Sequence, residues 1–300
     1  MEHDRQSSLR PATSTQFVIF NLFGDYIMPR GGSIWTYKLL HLLELLNVSE
    51  RAARSTLSRM KKEGWLVTRK SGRQTQHVLT RRGRAILEQG NQRIFETPSE
   101  RWDGQWRLVV YSLPEEKREL RNQLRKKLLW YGFGNLAPGT WIAPHDWRRE
   151  LEDILDDLAM RQYVTLFTVT QTGYTSNAEL VQRCWNIPEI EREYQVFVDH
   201  YNTEYRTAQA QFDSAGGVDL APEDCFVRRF WLTYDFQPFP RKDPNLPMEL
   251  LPDNWIGASA RNLFTNYRRL LSRGMGDFID TIVLGQKRSY TPEDVGTLAR

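Results

Sequence analysis

The stretch SERAARSTLSRMKKEG, residues 49–64, followed by WLVTRKSGRQTQHVL, residues 65–79, decides the fold. Ser49 is a good helix N-cap, Glu50 suits the positive end of the helix dipole, and Gly64 is a natural stop, so the spacing predicts a helix of about four turns. At about 100° per residue, Ala53, Thr56, Leu57 and Met60 share one side, while Arg51, Arg54, Ser55, Ser58 and Lys62 gather on the other. The first side is small and apolar enough to pack on a preceding helix. The second offers guanidinium forks, hydroxyls and an ammonium, which suit guanine edges, bases and phosphates. Trp65 to Thr68 and Thr75 to Leu79 then read as two strands joined by a basic, glycine-containing turn, Arg69 to Gln74. A basic helix followed by a basic hairpin is the reading surface of a winged helix-turn-helix. Candidate DNA-binding residues are Arg51, Arg54, Ser55, Ser58, Arg59, Lys62, Arg69, Lys70, Arg73 and Gln74.

Working outward, apolar residues recur at helical spacing from Thr13 to Phe23 and from Ser33 to Leu46, which predicts two helices before the basic one. Thr80 to Arg84 leads into a further short helix ending near Gly90. Net charge over the 300 residues is only +4, but residues 51–84 hold eleven Lys or Arg against one Glu. The rest of the chain is therefore acidic, as expected of a nucleic-acid-binding module joined to a part with another task. An isolated basic helix is more often a solvated face; here the face, the wing and the charge segregation agree. His77 sits beside Val78 with no second ligand near it and reads as a strand residue rather than a metal ligand.

Composition excludes several classes. No apolar run approaches the roughly 20 residues of a membrane span, and Met1 to Ser8 lacks the apolar core of a secretory signal, so a polar N-terminal arm and a cytoplasmic location are expected. Cys184 and Cys225 are the two cysteines, too few for a disulfide framework, and are expected to be buried thiols. Residues 91–105 read as a linker, and a new domain starts near Trp106. Its order is strand Trp106 to Leu113, helix Glu115 to Trp130, extended segment Gly132 to Ala143, helix Asp146 to Met160 and strand Tyr163 to Thr170. That pattern predicts a ferredoxin-like unit with its helices on one face of a small sheet. From Asn177 the pattern is mainly helical, with Tyr194, Phe197, Tyr201, Tyr205 and Phe212 in one aromatic stripe, a helix start at Pro222, a proline-rich loop and a last helix over Ala258 to Leu271. The expected fold class is α+β: a winged helix-turn-helix over 1–90, a linker over 91–105, a ferredoxin-like domain over 106–175 and a helical effector and dimerisation domain over 176–300.

Several residue runs together resemble one family. They are Tyr26 with Arg30-Gly31-Gly32-Ser33-Ile34-Trp35, Ser49-Glu50-Arg51, Lys62-Glu63-Gly64-Trp65-Leu66, Gly72-Arg73, Trp102-Asp103-Gly104-Gln105-Trp106, Cys184-Trp185, and the long run from Asp243 to Arg261. On these the chain is similar to the PaaX repressors that control phenylacetate and related aromatic-acid catabolic operons. The resemblance implies a Cas2-like central domain, a homodimer on a palindromic operator, and release by an aryl-CoA thioester such as phenylacetyl-CoA; no cofactor is implied. A thioester site needs apolar or aromatic walls and cationic groups for its phosphates. By residue type, Trp141, Trp255, Arg261, Tyr267, Arg268 and Arg269 are candidates for it. True Cas2 nucleases carry a metal-binding Asp at the end of the first strand, whereas this strand ends Tyr111-Ser112-Leu113-Pro114, so no enzyme activity and no metal are expected. The alternatives are a DNA-binding regulator with a different effector or none, and a metal-dependent nuclease.

Overall fold

The computed structural model describes residues 14–95, 101–214 and 220–285. The N-terminal arm and part of the expected linker lie outside these residues. The contacts divide the chain into two units: residues 1–96, 197–237 and 260–300 in one, residues 97–196 and 238–259 in the other. These units do not follow the linear segmentation expected from the sequence, because the helical C-terminal part contributes to both.

In the first unit, α1 (Thr15–Leu22) runs into a π-helical turn, Phe23–Ile27, and a 3-10 turn, Met28–Arg30. Gly31 and Gly32 follow at φ 96° and 72°, left-handed values that a side chain resists, and they swing the chain into β1 (Ser33–Trp35). Ser33 was expected to open a helix. Instead Ser33, Ile34 and Trp35 pair antiparallel with Val78, His77 and Gln76, and the helix α2 (Thr36–Leu45) starts after them. Ile34 explains the difference: it is almost wholly buried, and its place in the core is set by the strand pairing and not by helical spacing.

Helix α3 (Glu50–Lys62) begins as predicted, with the Ser49 hydroxyl accepting from the Ala52 amide at 3.3 Å. Strands β2 (Leu66–Ser71) and β3 (Gln74–Leu79) pair from Leu66↔Leu79 to Ser71↔Gln74, leaving Gly72 and Arg73 as a two-residue loop. The loop is thus shorter than the six residues expected. Gly72, at φ 58°, occupies the position where a tight hairpin favours glycine. The sheet order is β1-β3-β2, which together with α2 and α3 has the element order of a winged helix. Val18, Ile19, Leu22, Leu39, Leu42, Leu43, Ala53 and Met60 are fully buried and form its core. Helix α4 (Arg81–Phe95) runs through Gly90, where it was expected to stop, and takes the first residues of the expected linker.

The second unit opens with β4 (Trp106–Tyr111), α5 (Arg118–Trp130), β5 (Gly134–Ala137), β6 (Thr140–Ala143), α6 (Arg148–Asp157) and β7 (Val164–Val169). The expected extended segment is in fact a hairpin. Pro138 and Gly139 reverse the chain, and β5 pairs with β6 through an irregular register between Asn135 and Ala137. The antiparallel sheet has the order β5-β6-β4-β7, the ferredoxin-like arrangement, with β4 paired to both β6 and β7. Val109 and Trp141 from the sheet pack with Leu124, Leu128, Leu151, Ile154 and Leu155 from α5 and α6. On the opposite face, Trp106 stacks on Trp185, which follows α7 (Asn177–Cys184).

The remaining helices are α8 (Ile187–Ser214), α9 (Pro222–Phe236), the short α10 (Phe239–Lys242) and α11 (Ile256–Leu284). Helix α11 runs well past Leu271, its expected end. It passes Gly274, where an added Cβ would lie 2.5 Å from Cys225 Sγ. The missing side chain lets α9 and α11 approach closely, and that packing outweighs the low helix propensity of glycine. Among the described residues no helix is long and apolar enough to cross a membrane.

Candidate nucleic-acid interface

The buried residues of α3 are Ala53, Thr56, Leu57 and Met60, the four that the helical period places together. Arg51, Arg54, Ser55, Ser58, Arg59 and Lys62 are all exposed, as are Arg69, Lys70, Arg73 and Gln74 on the hairpin. The amphipathic split therefore leaves a polar, cationic surface over the whole outer side of α3. Lys61, also exposed, lies one heptad beyond Arg54 and extends the same stripe; its spacing was legible, yet it is absent from the candidates named from the sequence. Adjacent strand residues leave on opposite faces, so Arg69 and Lys70 present charge on both sides of the wing.

Arg54 is held by Glu50 one turn earlier, Nε to Oε1 2.7 Å, with both side chains more than half exposed. Such a pair contributes about 0–1 kcal/mol, so a nucleic-acid oxygen competes with it easily. The wing is fastened to the helices. Thr36 Oγ1 lies 3.0 Å from His77 Nε2 and donates to the Thr75 carbonyl, tying the start of α2 to β3. His77 is buried, and burial lowers its pKa, with Lys61 adding to the effect. The Thr80 hydroxyl donates to the Gly64 carbonyl at 2.8 Å, and Arg82 covers the Trp65 ring at 4.1 Å. The Thr36 contacts tie the hairpin to α2, and the Thr80 and Arg82 contacts tie it to the turn that ends α3.

The same unit holds a network that no spacing rule discloses. Asp25, in the π-helical turn, accepts two hydrogen bonds from Arg229 of α9, at 2.8 and 3.2 Å, and one from Arg268 of α11. Arg229 Nε also donates to the Ser272 hydroxyl, 3.0 Å. Burial raises the Asp25 pKa, but the two guanidiniums outweigh it and hold the carboxyl below its ordinary value. Tyr26 packs edge-on to Phe226 and under Arg229, and burial pushes its hydroxyl up to about 12. Arg30 completes the set with a buried bond to Asp280, 2.5 Å, and another to the Tyr26 carbonyl. The chain leading into β1 and α2 is thus bound by charge to α9 and α11.

The six candidate effector residues fall in different surroundings. Trp141 is a core residue of the ferredoxin-like sheet, and Trp255 packs edge-on to Tyr194. Arg268 is committed to Asp25, and Tyr267 is buried with its hydroxyl 3.4 Å from Glu204. Arg269 is exposed and Arg261 half-buried. Of the cysteines, Cys225 is buried and Cys184 partly so, and burial raises both thiols to about 11, which leaves them unreactive.

Three family models match in succession: PaaX-like protein over residues 14–83, PaaX protein central Cas2-like domain over 99–181, and PaaX-like protein C-terminal domain over 185–281. The chain is 32% identical over 264 residues to the transcriptional repressor PaaX of Escherichia coli, spanning 87% of this chain and 81% of that protein. The chain belongs to the PaaX family. The α+β architecture with a Cas2-like centre and a helical C-terminal part is that of the family, and the named PaaX relative is a transcriptional regulator and not an enzyme. A solved structure with a similar fold is that of the uncharacterized protein Rv0674 from Mycobacterium tuberculosis. It superposes with a TM-score of 0.60 at 21% identity, covering 90% of this chain and 98% of that one.

Proposed function

We propose that this protein is a DNA-binding transcriptional repressor of an aromatic-compound catabolic operon, which binds a palindromic operator as a homodimer and is released by an aryl-CoA thioester such as phenylacetyl-CoA. The observation that carries the reading is the clean division of α3, with its four small and apolar residues buried and its Arg, Lys and Ser residues exposed beside a basic hairpin, in a chain related to a repressor. In this account α3 enters the major groove, where Arg51 and Arg54 meet guanine edges and Ser55 and Ser58 meet bases or phosphates. Arg59 and Lys62 neutralise backbone phosphates, and Arg69, Lys70, Arg73 and Gln74 steady the complex from the wing. A dimer places two such helices in successive major grooves, and the operator symmetry mirrors its own.

An effector releases the protein only if it prefers the arrangement that does not fit DNA, since a ligand shifts an equilibrium by no more than its differential affinity for the two states. Of the six residues suggested by type, Arg269 is exposed and Arg261 half-buried, while Trp141, Trp255 and Tyr267 are buried in packing and Arg268 in its ion pair with Asp25.

Arg54→Ala is expected to weaken specific operator binding by about 1–3 kcal/mol and to relax the base preference at one position of each half-site. Competition binding against a set of single-base operator variants checks this. Equal weakening on every sequence would reassign Arg54 to a phosphate. The effector reading is tested by anisotropy of labelled promoter DNA with the full-length protein and a panel of aryl-CoA thioesters and their free acids. Release by one thioester and not by its acid is expected; indifference to the whole panel would leave a repressor without this effector class.

A further inference from the structure

The second unit contains a cleft of about 500 Å³ where β4 ends. It is lined by the exposed Ser112, by Asn135 and Gly139 of the β5–β6 hairpin, and by Arg121 and Arg125 of α5. None of the lining residues is a carboxylate. Arg121 and Arg125 are one helical turn apart, so both project to the same side of α5, and Arg118 continues their row. Both Nη atoms of Arg121 donate to the Glu115 carboxylate, at 3.1–3.3 Å, and that carboxylate is 72% exposed. Arg125 is exposed and forms no ion pair among the described residues.

The hairpin wall is fixed. Gly139 has φ 72°, and a Cβ there would lie 2.5 Å from the Tyr111 carbonyl oxygen, so its backbone sits directly against the strand end. Its own carbonyl accepts from the Tyr111 amide at 2.8 Å. The Asn135 amide nitrogen is spent on the carbonyls of Ala137 and Thr140, which holds the turn closed. The donors left for a ligand are the Arg125 fork and the Ser112 hydroxyl, and the Arg121 fork joins them where a phosphate displaces the exposed Glu115 carboxylate, a set that matches phosphate oxygens. A metal-supported hydrolysis at this strand end would need the opposite charge.

We propose that this cleft binds the phosphate groups of a small phosphorylated ligand of nucleoside-diphosphate size. The limited volume, about 500 Å³, matches a ligand of that size. Taking the nucleotide end of an aryl-CoA as that ligand rests on the effector reading above; the cleft as a diphosphate site does not.

The test is calorimetric titration of the full-length protein and its Arg125→Ala and Arg121→Ala variants with inorganic pyrophosphate, ADP and coenzyme A. Arg125 is exposed, so its removal leaves the fold intact. The wild type is expected to bind all three, and each variant about tenfold more weakly, with operator affinity unchanged. A wild type that binds none of them, or variants that bind as well as the wild type, would overturn the proposal. Loss of operator affinity in Arg125→Ala would overturn it too, assigning the arginine row to DNA. The two readings separate in the release assay. If phenylacetyl-CoA fails to release the wild type while pyrophosphate binding is arginine-dependent, the effector reading fails and the cleft stands. If it releases Arg125→Ala as readily as the wild type, the cleft fails as the effector site.

Discussion

Asp25→Asn should destabilise the unit that contains the reading head by about 3–5 kcal/mol, because it leaves the buried guanidiniums of Arg229 and Arg268 without their shared carboxylate. The side chains of Arg229 and Arg268 are 2% and 3% exposed, so water cannot take over the lost role. The effect has a defined pH dependence. The folded-state pKa of Asp25 lies below the unfolded value of about 4, so its contribution is fully present above pH 4 and is lost as pH falls through the lower folded value. Urea denaturation followed by circular dichroism should therefore show a wide gap between parent and variant at pH 7, an equal gap at pH 5.5, and a closing gap only in strong acid. A variant within about 1 kcal/mol of the parent at pH 7 would remove Asp25 as the hub of the network.

Trp106→Ala should cost the second unit a similar amount, about 3–5 kcal/mol, through a cavity beneath the sheet. Trp106 is 1% exposed, lies edge-on to Trp102 at 5.3 Å and stacked with Trp185 at 6.1 Å, and donates from Nε1 to Asn177 at 3.1 Å. Trp106→Phe keeps the ring contacts and loses the hydrogen bond, so it should cost only about 1 kcal/mol more than a size correction alone. Thermal unfolding of the three proteins in parallel checks the order. If the Phe variant is as damaged as the Ala variant, the hydrogen bond to Asn177 and not the packing holds α7 to the sheet.

The two parts of the reading head were unequally legible. Helix α3 is long enough for its 3.6-residue period to show, and Ser49 and Gly64 mark its ends, so its buried quartet follows from spacing alone. Strand β1 has only three residues, and the leucines of α2 begin within one turn of it, so its period of two is lost in theirs. The hairpin of β5 and β6 hides for a related reason: its strands are four residues each, and a two-residue turn does not interrupt the apolar pattern enough to separate them. The network at Asp25 joins residues more than 200 positions apart, a relation that no local pattern encodes. Tyr267 and Arg268 were candidate effector residues by type; in the fold they are buried polar groups with partners of their own, and nothing in their neighbourhood in the sequence distinguishes the two uses. Arg121 and Arg125 were legible as helical residues, but the cleft they face depends on the β5–β6 hairpin and so became visible only with the sheet.

The central claim is that the outer side of α3 reads DNA sequence, and it is tested most directly by one titration. Labelled DNA from the protein's own promoter and a scrambled duplex of equal length are titrated with wild-type protein and with the triple variant Arg51→Ala, Arg54→Ala, Ser58→Ala at several salt concentrations. The account predicts that the wild type prefers the promoter by a factor on the order of 10³ or more, and that the triple variant loses most of that preference while retaining salt-dependent binding to both duplexes through its remaining cationic residues. Wild-type protein that binds both duplexes alike, or a triple variant that keeps the full preference, would contradict it.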